Sequence, residues 1–464
     1  MVDRATAPTR GGSVSAHAPT AADLERLAAY PHVVVNWIAD DGYPMGVAVS
    51  FTTDPVDGSV ALDAPGGIAI PNDREVNLIG SHIRPSPGVG YDERRYLQLW
   101  GRVFPSDGGR LTFAATRAWG WDEHEIPFFE YSERSVPQSR RYLAQLSQQR
   151  GTTVRPRLSP FWLVLRTTRL PFLSATAVPV LLGVAIAASD GFFNPWLALL
   201  TLIGASFAHL GSNVANDVFD TLSGADDANV NPTQFSGGSR VVIYDLLTMR
   251  QLVAVAAGLL GVAAAIGLVL VWLTGSLTLF WIGIAGIAVG VAYTAPPLKL
   301  VYRGLGEVAI VCGFGPIMVL GAYVVQTGRI SLEAVLASVP VGILIALILY
   351  VNEIPDRSGD AAVGKRTLPV RWSPDRVLTG YLVAALAAFA VVVGGVLGGQ
   401  LPWPTLIALA GVPFVFRIQG AIRANYDSPY TLMAVMGQNV TLAVSVGALL
   451  LVGYLLWIVA SQLA

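Results

Sequence analysis

Cysteine occurs once in the 464 residues, as Cys312 within an apolar segment. A single thiol excludes an intramolecular disulfide, and its apolar setting predicts a small core residue. Charge is also scarce, at 13% of residues against 53% hydrophobic, with glycine about one residue in ten. That composition is far from that of an ordinary soluble enzyme and predicts a membrane protein. The first 30 residues contain Pro, Gly, Ser and acids but no apolar run like that of a cleaved secretory leader, so the amino terminus is expected to stay in the cytoplasm. No inverted internal repeat is visible, which counts against a transporter. The net charge is -1, and no nucleic-acid partner is expected.

The charge that is present is unevenly spread. Of the 30 Lys and Arg residues, 16 precede Phe161, which divides the chain there. Residues 1–25, rich in Ala, Thr, Pro, Gly and Ser without periodicity, read as a flexible tail. Residues 26–135 read as a small soluble β-barrel domain, with strands at 32–38, 45–51, 59–62, 76–83 and 96–104 and a turn at Asp40-Asp41-Gly42-Tyr43-Pro44. Residues 136–160 carry Arg140, Arg141, Arg150, Arg155 and Arg157 and read as a basic linker lying on an anionic membrane surface. Residues 161–464 are expected to form an all-α multi-pass membrane bundle of about nine helices, near 161–187, 195–217, 248–273, 277–293, 305–326, 332–352, 377–397, 402–421 and 437–460. With the amino terminus inside, the inner loops hold Arg240, Lys299, Arg303, Arg357, Lys365, Arg366, Arg371, Arg376 and Arg423, and the outer loops only Arg329. The positive-inside rule therefore predicts a cytoplasmic mouth.

Two acid-rich clusters interrupt the apolar stretches at that mouth. Asn213, Asn216, Asp217 and Asp220 close the second helix, and Asn352, Asp356 and Asp360 close the sixth. Helical spacing places Asn213, Asp217 and Asp220 at i, i+4 and i+7, and the second set at i, i+4 and i+8, so each cluster presents one oxygen-rich face. Carboxylates beside lipid are costly and need a partner. Like-signed oxygen ligands without nearby His or Cys suit Mg²⁺ rather than zinc or copper. Arg240, Lys299, Arg303, Lys365 and Arg366 follow at loop distance, and magnesium with Arg and Lys is a diphosphate-binding combination. Within a Gly- and Ala-rich apolar bundle, the ligand expected is a polyprenyl diphosphate. Asp226, Asp227 and Asp375 read as ordinary solvated helix-end acids. Pro355 precedes Asp356, so the sixth helix is expected to kink or end there.

The membrane part, roughly residues 160–460, resembles the UbiA superfamily of intramembrane prenyltransferases. Asn216-Asp217-Val218-Phe219-Asp220 and Asp356-Arg357-Ser358-Gly359-Asp360 match its paired acid motifs, although Gly224 stands where the longer first motif has an acid. Tyr302-Arg-Gly-Leu-Gly-Glu307, Phe314-Gly-Pro316 and Gly364-Lys-Arg-Thr-Leu-Pro-Val-Arg371 look similar to the 1,4-dihydroxy-2-naphthoate prenyltransferases of menaquinone synthesis. The resemblance implies magnesium held by Asn216, Asp220, Asp356 and Asp360, with Asp217 and Asn352 alongside. It also implies catalytic roles for Asp217, Asp220, Asp356 and Asp360. Diphosphate or acceptor contacts would come from Arg169, Asn213, Arg240, Lys299, Arg303, Lys365 and Arg366. The expected partners are a polyprenyl diphosphate, an aromatic acceptor and membrane lipid. Prenylation of another aromatic acceptor is the first alternative, and a cation-coupled transporter or flavin-linked redox sensor the second.

Val33-Val-Val-Asn-Trp-Ile38, Val47-Ala-Val-Ser-Phe51 and Leu97-Gln-Leu-Trp-Gly-Arg102 resemble the FMN-binding split barrel related to pyridoxamine 5'-phosphate oxidase. That resemblance implies FMN, with Arg74, Ser81 and Arg84 as phosphate contacts. No Gly-rich phosphate loop accompanies them.

Overall fold

A computed structural model of the chain describes residues 16–463, apart from 56, 64–65, 87–89, 107–108, 230–231 and 234. Most of the expected tail lies outside the described residues. The chain divides into two compact units, residues 1–142 and 143–464.

In the first unit, helix α1 (Ala21–Ala28) begins at a reciprocal cap in which Thr20 and Asp23 bond each other's backbone N–H. Its Leu24 and Leu27 are buried. The expectation of a tail through residue 25 is thus corrected: two leucines three apart give this segment a face to bury. Strands β1 (Val33–Ile38), β2 (Pro44–Asp54), β3 (Ser59–Asp63), β4 (Val76–Ser86), β5 (Gly90–Pro105) and β6 (Leu111–Asp122) close into an antiparallel barrel in the order β1-β2-β3-β6-β5-β4. Val33 and Val35, Leu78, Leu97 and Leu99, all buried, fill its interior from alternate positions. Strand β6 had no counterpart in the expected strands. Its buried residues Phe113 and Ala118 fall out of alternation because pairing with β5 shifts at Trp100/Gly101, and Trp121 is buried separately against Phe128 and Tyr131. Gly101 permits that shift, since a Cβ there would lie 2.0 Å from the Ala114 carbonyl oxygen.

Helix α2 (Phe128–Arg150) runs through Pro137 and across the division between the units. Much of the expected basic linker is therefore helical, and only the stretch from Gly151 to Ser159 is irregular.

The second unit continues with α3 (Pro160–Thr168), α4 (Ser174–Ser189), α5 (Pro195–Ser223), α6 (Ala225–Ala228), α7 (Met249–Thr274) and α8 (Leu277–Thr294). Then follow α9 (Gly306–Cys312), α10 (Met318–Thr327), α11 (Leu332–Ala362), α12 (Leu368–Arg371), α13 (Pro374–Leu397), α14 (Val412–Asn425) and α15 (Pro429–Leu463). Among the described residues nine helical segments are long and apolar enough to cross a membrane. The first is shorter than expected: Arg169, in the left-handed region at φ 54°, breaks the run before a 3₁₀ turn at Leu170–Leu173 leads into α4.

α11 is the axis of the bundle. In its most apolar stretch 72% of residues are buried, against 11% in α7 and in α8, which stand at the periphery. α11 does not end at Pro355 but continues to Ala362. A proline removes one N–H and one bond, which the packing of Val351, Ile354, Gly359 and Asp360 around it outweighs. Gly359 makes the closest approach, with a would-be Cβ 2.9 Å from Asn229 Cα. Cys312, expected in the core, is exposed. It lies on a membrane-crossing segment, where an apolar side chain is as stable facing lipid as facing protein.

Candidate active site

Asn194 caps α5 by accepting bonds from Trp196 and Leu197 N–H, and Gly224, at φ 76°, terminates it. Between these ends the helix turns Thr201, His209, Ser212, Asn213, Asn216 and Asp220 to a cavity that α11 also lines. The short turn α6 then brings Asp226 back towards them. The result is a cavity of about 1040 Å³, at the upper end of the usual range for small-molecule sites. Its α5 wall runs from Thr201 to Asp220, a rise of about 28 Å. The peripheral helices α7 and α8 supply much of the remaining wall with Gly, Ala, Val, Leu and Ile.

The charged residues gather at one pole. Asp220, Asp226, Glu353, Asp356 and Asp360 line it, and among the described residues Arg169 and Lys365 are the Lys and Arg side chains that join them. Asp220 accepts bonds from Tyr302 Oη at 3.0 Å and from Asn216 Nδ2 at 3.0 Å. Ser223 Oγ lies 2.6 Å from the same Tyr302 hydroxyl. Asp356 accepts from Asn229 Nδ2 at 2.7 Å and from Gly237 N–H at 3.0 Å. Lys365 Nζ stands 3.5 Å from both Asp220 Oδ2 and Asp360 Oδ1, so one ammonium joins the two acid motifs. Burial works against that charge, but Asp220 and Asp360 outweigh it and hold the Lys365 pKa well above a lysine's ordinary value. Asp226, in the α5–α7 connection, is pushed up to about 8 by burial and by Asp220 and Asp217.

The residues singled out in the sequence separate into three groups. Asn213, Asn216, Asp220, Asn352, Asp356, Asp360, Arg169 and Lys365 all line the cavity. Asp217 is buried behind the wall, accepting from Arg169 Nη2 at 2.8 Å and Ser239 N–H at 3.1 Å, so both its oxygens are already engaged. Arg240, Lys299, Arg303 and Arg366 do not line the cavity. Arg240 donates to the Asp226 and Asn229 carbonyls and Arg303 to the Pro297 carbonyl. Lys299 lies over the Tyr302 ring, and Arg366 is exposed. Tyr302, Asn229, Glu353 and His209 were missed as site residues. Asp226, expected to be a solvated helix-end acid, is instead buried, with its carboxylate beside Gly238, where any Cβ would come within 2.6 Å of it. Asp227 and Asp375 are exposed, as expected of solvated acids.

The donor set fits a hard divalent cation. Asn352 Oδ1 and Asp360 Oδ2 are buried oxygens without a hydrogen-bond partner, Glu353 lies against the Glu307 carboxyl, and five carboxylates face two cations. Among the described residues, no three His, Cys, Asp or Glu side chains already form a metal cluster. The Lys365 ammonium holds Asp220 and Asp360 on either side of itself. In the barrel unit the flavin contacts do not fit. Arg74 pairs with Asp40 and Asp73, and Arg84 with Glu93. The length of β4 between Val76 and Arg84, about 26 Å, keeps the two guanidinium groups from one phosphate.

Residues 176–436 match the UbiA prenyltransferase family. The chain belongs to that family; it is a prenyltransferase and an integral membrane protein. It is 26% identical over 313 residues to a 1,4-dihydroxy-2-naphthoate octaprenyltransferase of Bacillus subtilis, covering 67% of this chain and 98% of the relative. It is 33% identical over 247 residues to the enzyme of the same description from Mycobacterium tuberculosis, covering 53% of this chain and 81% of that one. Among solved structures, a UbiA homolog from Archaeoglobus fulgidus bound to DMAPP and Mg²⁺ overlaps with a TM-score of 0.46 at 14% identity, covering 62% of this chain and 98% of the other.

Proposed function

We propose that this prenyltransferase moves a polyprenyl group from a polyprenyl diphosphate onto 1,4-dihydroxy-2-naphthoate, in menaquinone biosynthesis. The observation that carries this reading is the single cavity that joins an acid- and cation-lined pole to a long apolar wall. One end suits a diphosphate and the other an isoprenoid. The naphthoate acceptor is the one named for both relatives.

Asp220, Asp356 and Asp360, with Asn216, Asn352 and Glu353, would hold Mg²⁺, whose charge would stabilise the departing diphosphate. Lys365 and Arg169 bind the diphosphate oxygens, and Asp217 holds Arg169 in place for that purpose. As the allylic C–O bond breaks, its electron pair leaves with the diphosphate, the acceptor ring supplies the pair for the new C–C bond, and the substituted ring carbon gives up its carboxylate as carbon dioxide to restore the aromatic ring. The apolar walls keep water from capturing the allylic cation, and confinement sets ring and cation within reaction distance. The basic loops beside the acidic pole support a cytoplasmic mouth under the positive-inside rule.

The test is product mass from purified full-length protein in detergent with geranylgeranyl diphosphate, 1,4-dihydroxy-2-naphthoate and Mg²⁺. A prenylated naphthoate-derived product that disappears with EDTA is expected. Product from a phenolic acceptor but none from the naphthoate would overturn the acceptor assignment.

A further inference from the structure

The polar face of α5 does not stop at the acidic pole. Asp220, Asn216, Asn213, Ser212 and His209 succeed one another at helical spacing, and all five line the cavity. His209 is the innermost, eleven residues from Asp220 and so about 16 Å deeper along the helix. Only 8% of it is exposed. Its ring meets Phe314 edge-on, with centroids 4.9 Å apart, and its Nδ1 lies 2.7 Å from Thr176 Oγ1.

Burying an imidazole in an apolar wall is costly unless both nitrogens are satisfied. A histidine serving only the core would have a protein partner on each. Among the described residues Nε2 has none, while the ring borders the chamber. Thr176 fixes the ring's orientation, as the second hydrogen bond of a functional histidine does. The isoprenoid has no polar group to offer at this depth, and the diphosphate belongs to the pole that holds Lys365. The remaining reactant, the aromatic acceptor, carries hydroxyls, and a hydroxyl can bond either tautomer of the ring.

We propose that His209 binds the acceptor, with Nε2 hydrogen-bonded to a ring hydroxyl so that the aromatic ring is held between the acidic pole and Phe314. This inference rests on the aromatic-acceptor reading above.

The experiment measures KM for 1,4-dihydroxy-2-naphthoate and for geranylgeranyl diphosphate separately, with the full chain in detergent. His209→Phe, which keeps an aromatic ring and removes the polar nitrogen, is expected to raise the acceptor KM about tenfold, the equivalent of one neutral hydrogen bond. The diphosphate KM should stay within about twofold. His209→Asn, whose amide both donates and accepts, should recover most of the acceptor affinity. Thr176→Val, which frees the ring, should raise only the acceptor KM and serves as the deciding variant if His209→Phe does not fold. Equal changes in both KM values, no change in either, or no recovery with asparagine would overturn the assignment of His209 alone. Absence of product from the wild-type chain with the naphthoate would overturn the acceptor reading and this inference with it.

Discussion

Replacing Lys365 with methionine would remove the cation that ties the two acid motifs together while keeping most of its stem. The side chains of Lys365, Asp220 and Asp360 are 12%, 8% and 6% exposed, so solvent screens their interaction weakly. At 3.5 Å and an effective dielectric constant of about 20, each attraction is worth ~5 kcal/mol before desolvation. Because both oxygens lie 3.5 Å from one nitrogen, they are within about 7 Å of each other, and their repulsion is ~2 kcal/mol once the ammonium is gone. Desolvation of the lysine offsets part of the attraction, leaving a net loss of about 3–5 kcal/mol on removing one partner of a buried pair. Thermal unfolding in detergent, with EDTA and with millimolar Mg²⁺, measures it. The variant should be less stable than wild type in EDTA and should gain more from Mg²⁺, because a divalent cation would relieve the repulsion the lysine had masked. Transfer should fall by about 100-fold or more as the diphosphate loses a cationic contact. Unchanged stability in EDTA, or equal magnesium increments in the two proteins, would refute the reasoning.

Asp220→Asn and Asp356→Asn should each abolish transfer with membrane insertion retained, read as product mass and as protein in the membrane fraction. Asp217→Asn should instead raise the KM for the prenyl diphosphate by about 10-fold through misplacement of Arg169, with little change in the magnesium concentration needed for half-activity. Tyr302→Phe removes the hydroxyl between Asp220 and Ser223. A loss of about 10- to 150-fold in kcat/KM is expected, as for one hydrogen bond to a charged group. Gly238→Ala should destabilise the α5–α7 connection, since φ is +74° and the new Cβ would meet Asp226 Oδ1 at 2.6 Å. A cost of ~1–3 kcal/mol follows, and full retention of thermal stability would contradict it.

The two acid motifs were legible because local helical spacing suffices to place Asn216 and Asp220, or Asp356 and Asp360, on one face. Lys365 was legible as a loop cation, but its position between Asp220 and Asp360 depends on the chain turning back at Gly364 (φ 75°) after α11. Arg240, Lys299 and Arg303 looked equivalent to Lys365 in sequence because loop charge alone does not reveal direction. Folding turned Arg240 and Arg303 to backbone carbonyls and Lys299 to an aromatic face. Asp226 reads as solvated in the sequence because Gly224 interrupts the acid pattern; the left-handed glycine starts a new turn that returns the carboxylate to the cavity. His209 left a signal that went unused, a polar residue seven positions before Asn216 and so on the same helical face. Strand β6 was obscured by a register shift with β5 that interrupts its alternation.

Composition and hydropathy by themselves determined that the chain crosses a membrane through about nine helices, since a backbone in lipid must satisfy its own hydrogen bonds and each span needs enough apolar residues. Local spacing determined which oxygens share a face. The tertiary structure alone decided which of those groups meet: Asp217 was withdrawn behind the wall to hold Arg169, Asp220 and Asp360 were joined through Lys365, and Pro355 was carried inside a continuous helix. Those outcomes depend on contacts that local spacing does not encode, with Arg169 and Asp217 48 positions apart and Asp220 on α5 meeting Lys365 after α11, where interhelical packing and buried charge outweigh any preference the local sequence expresses.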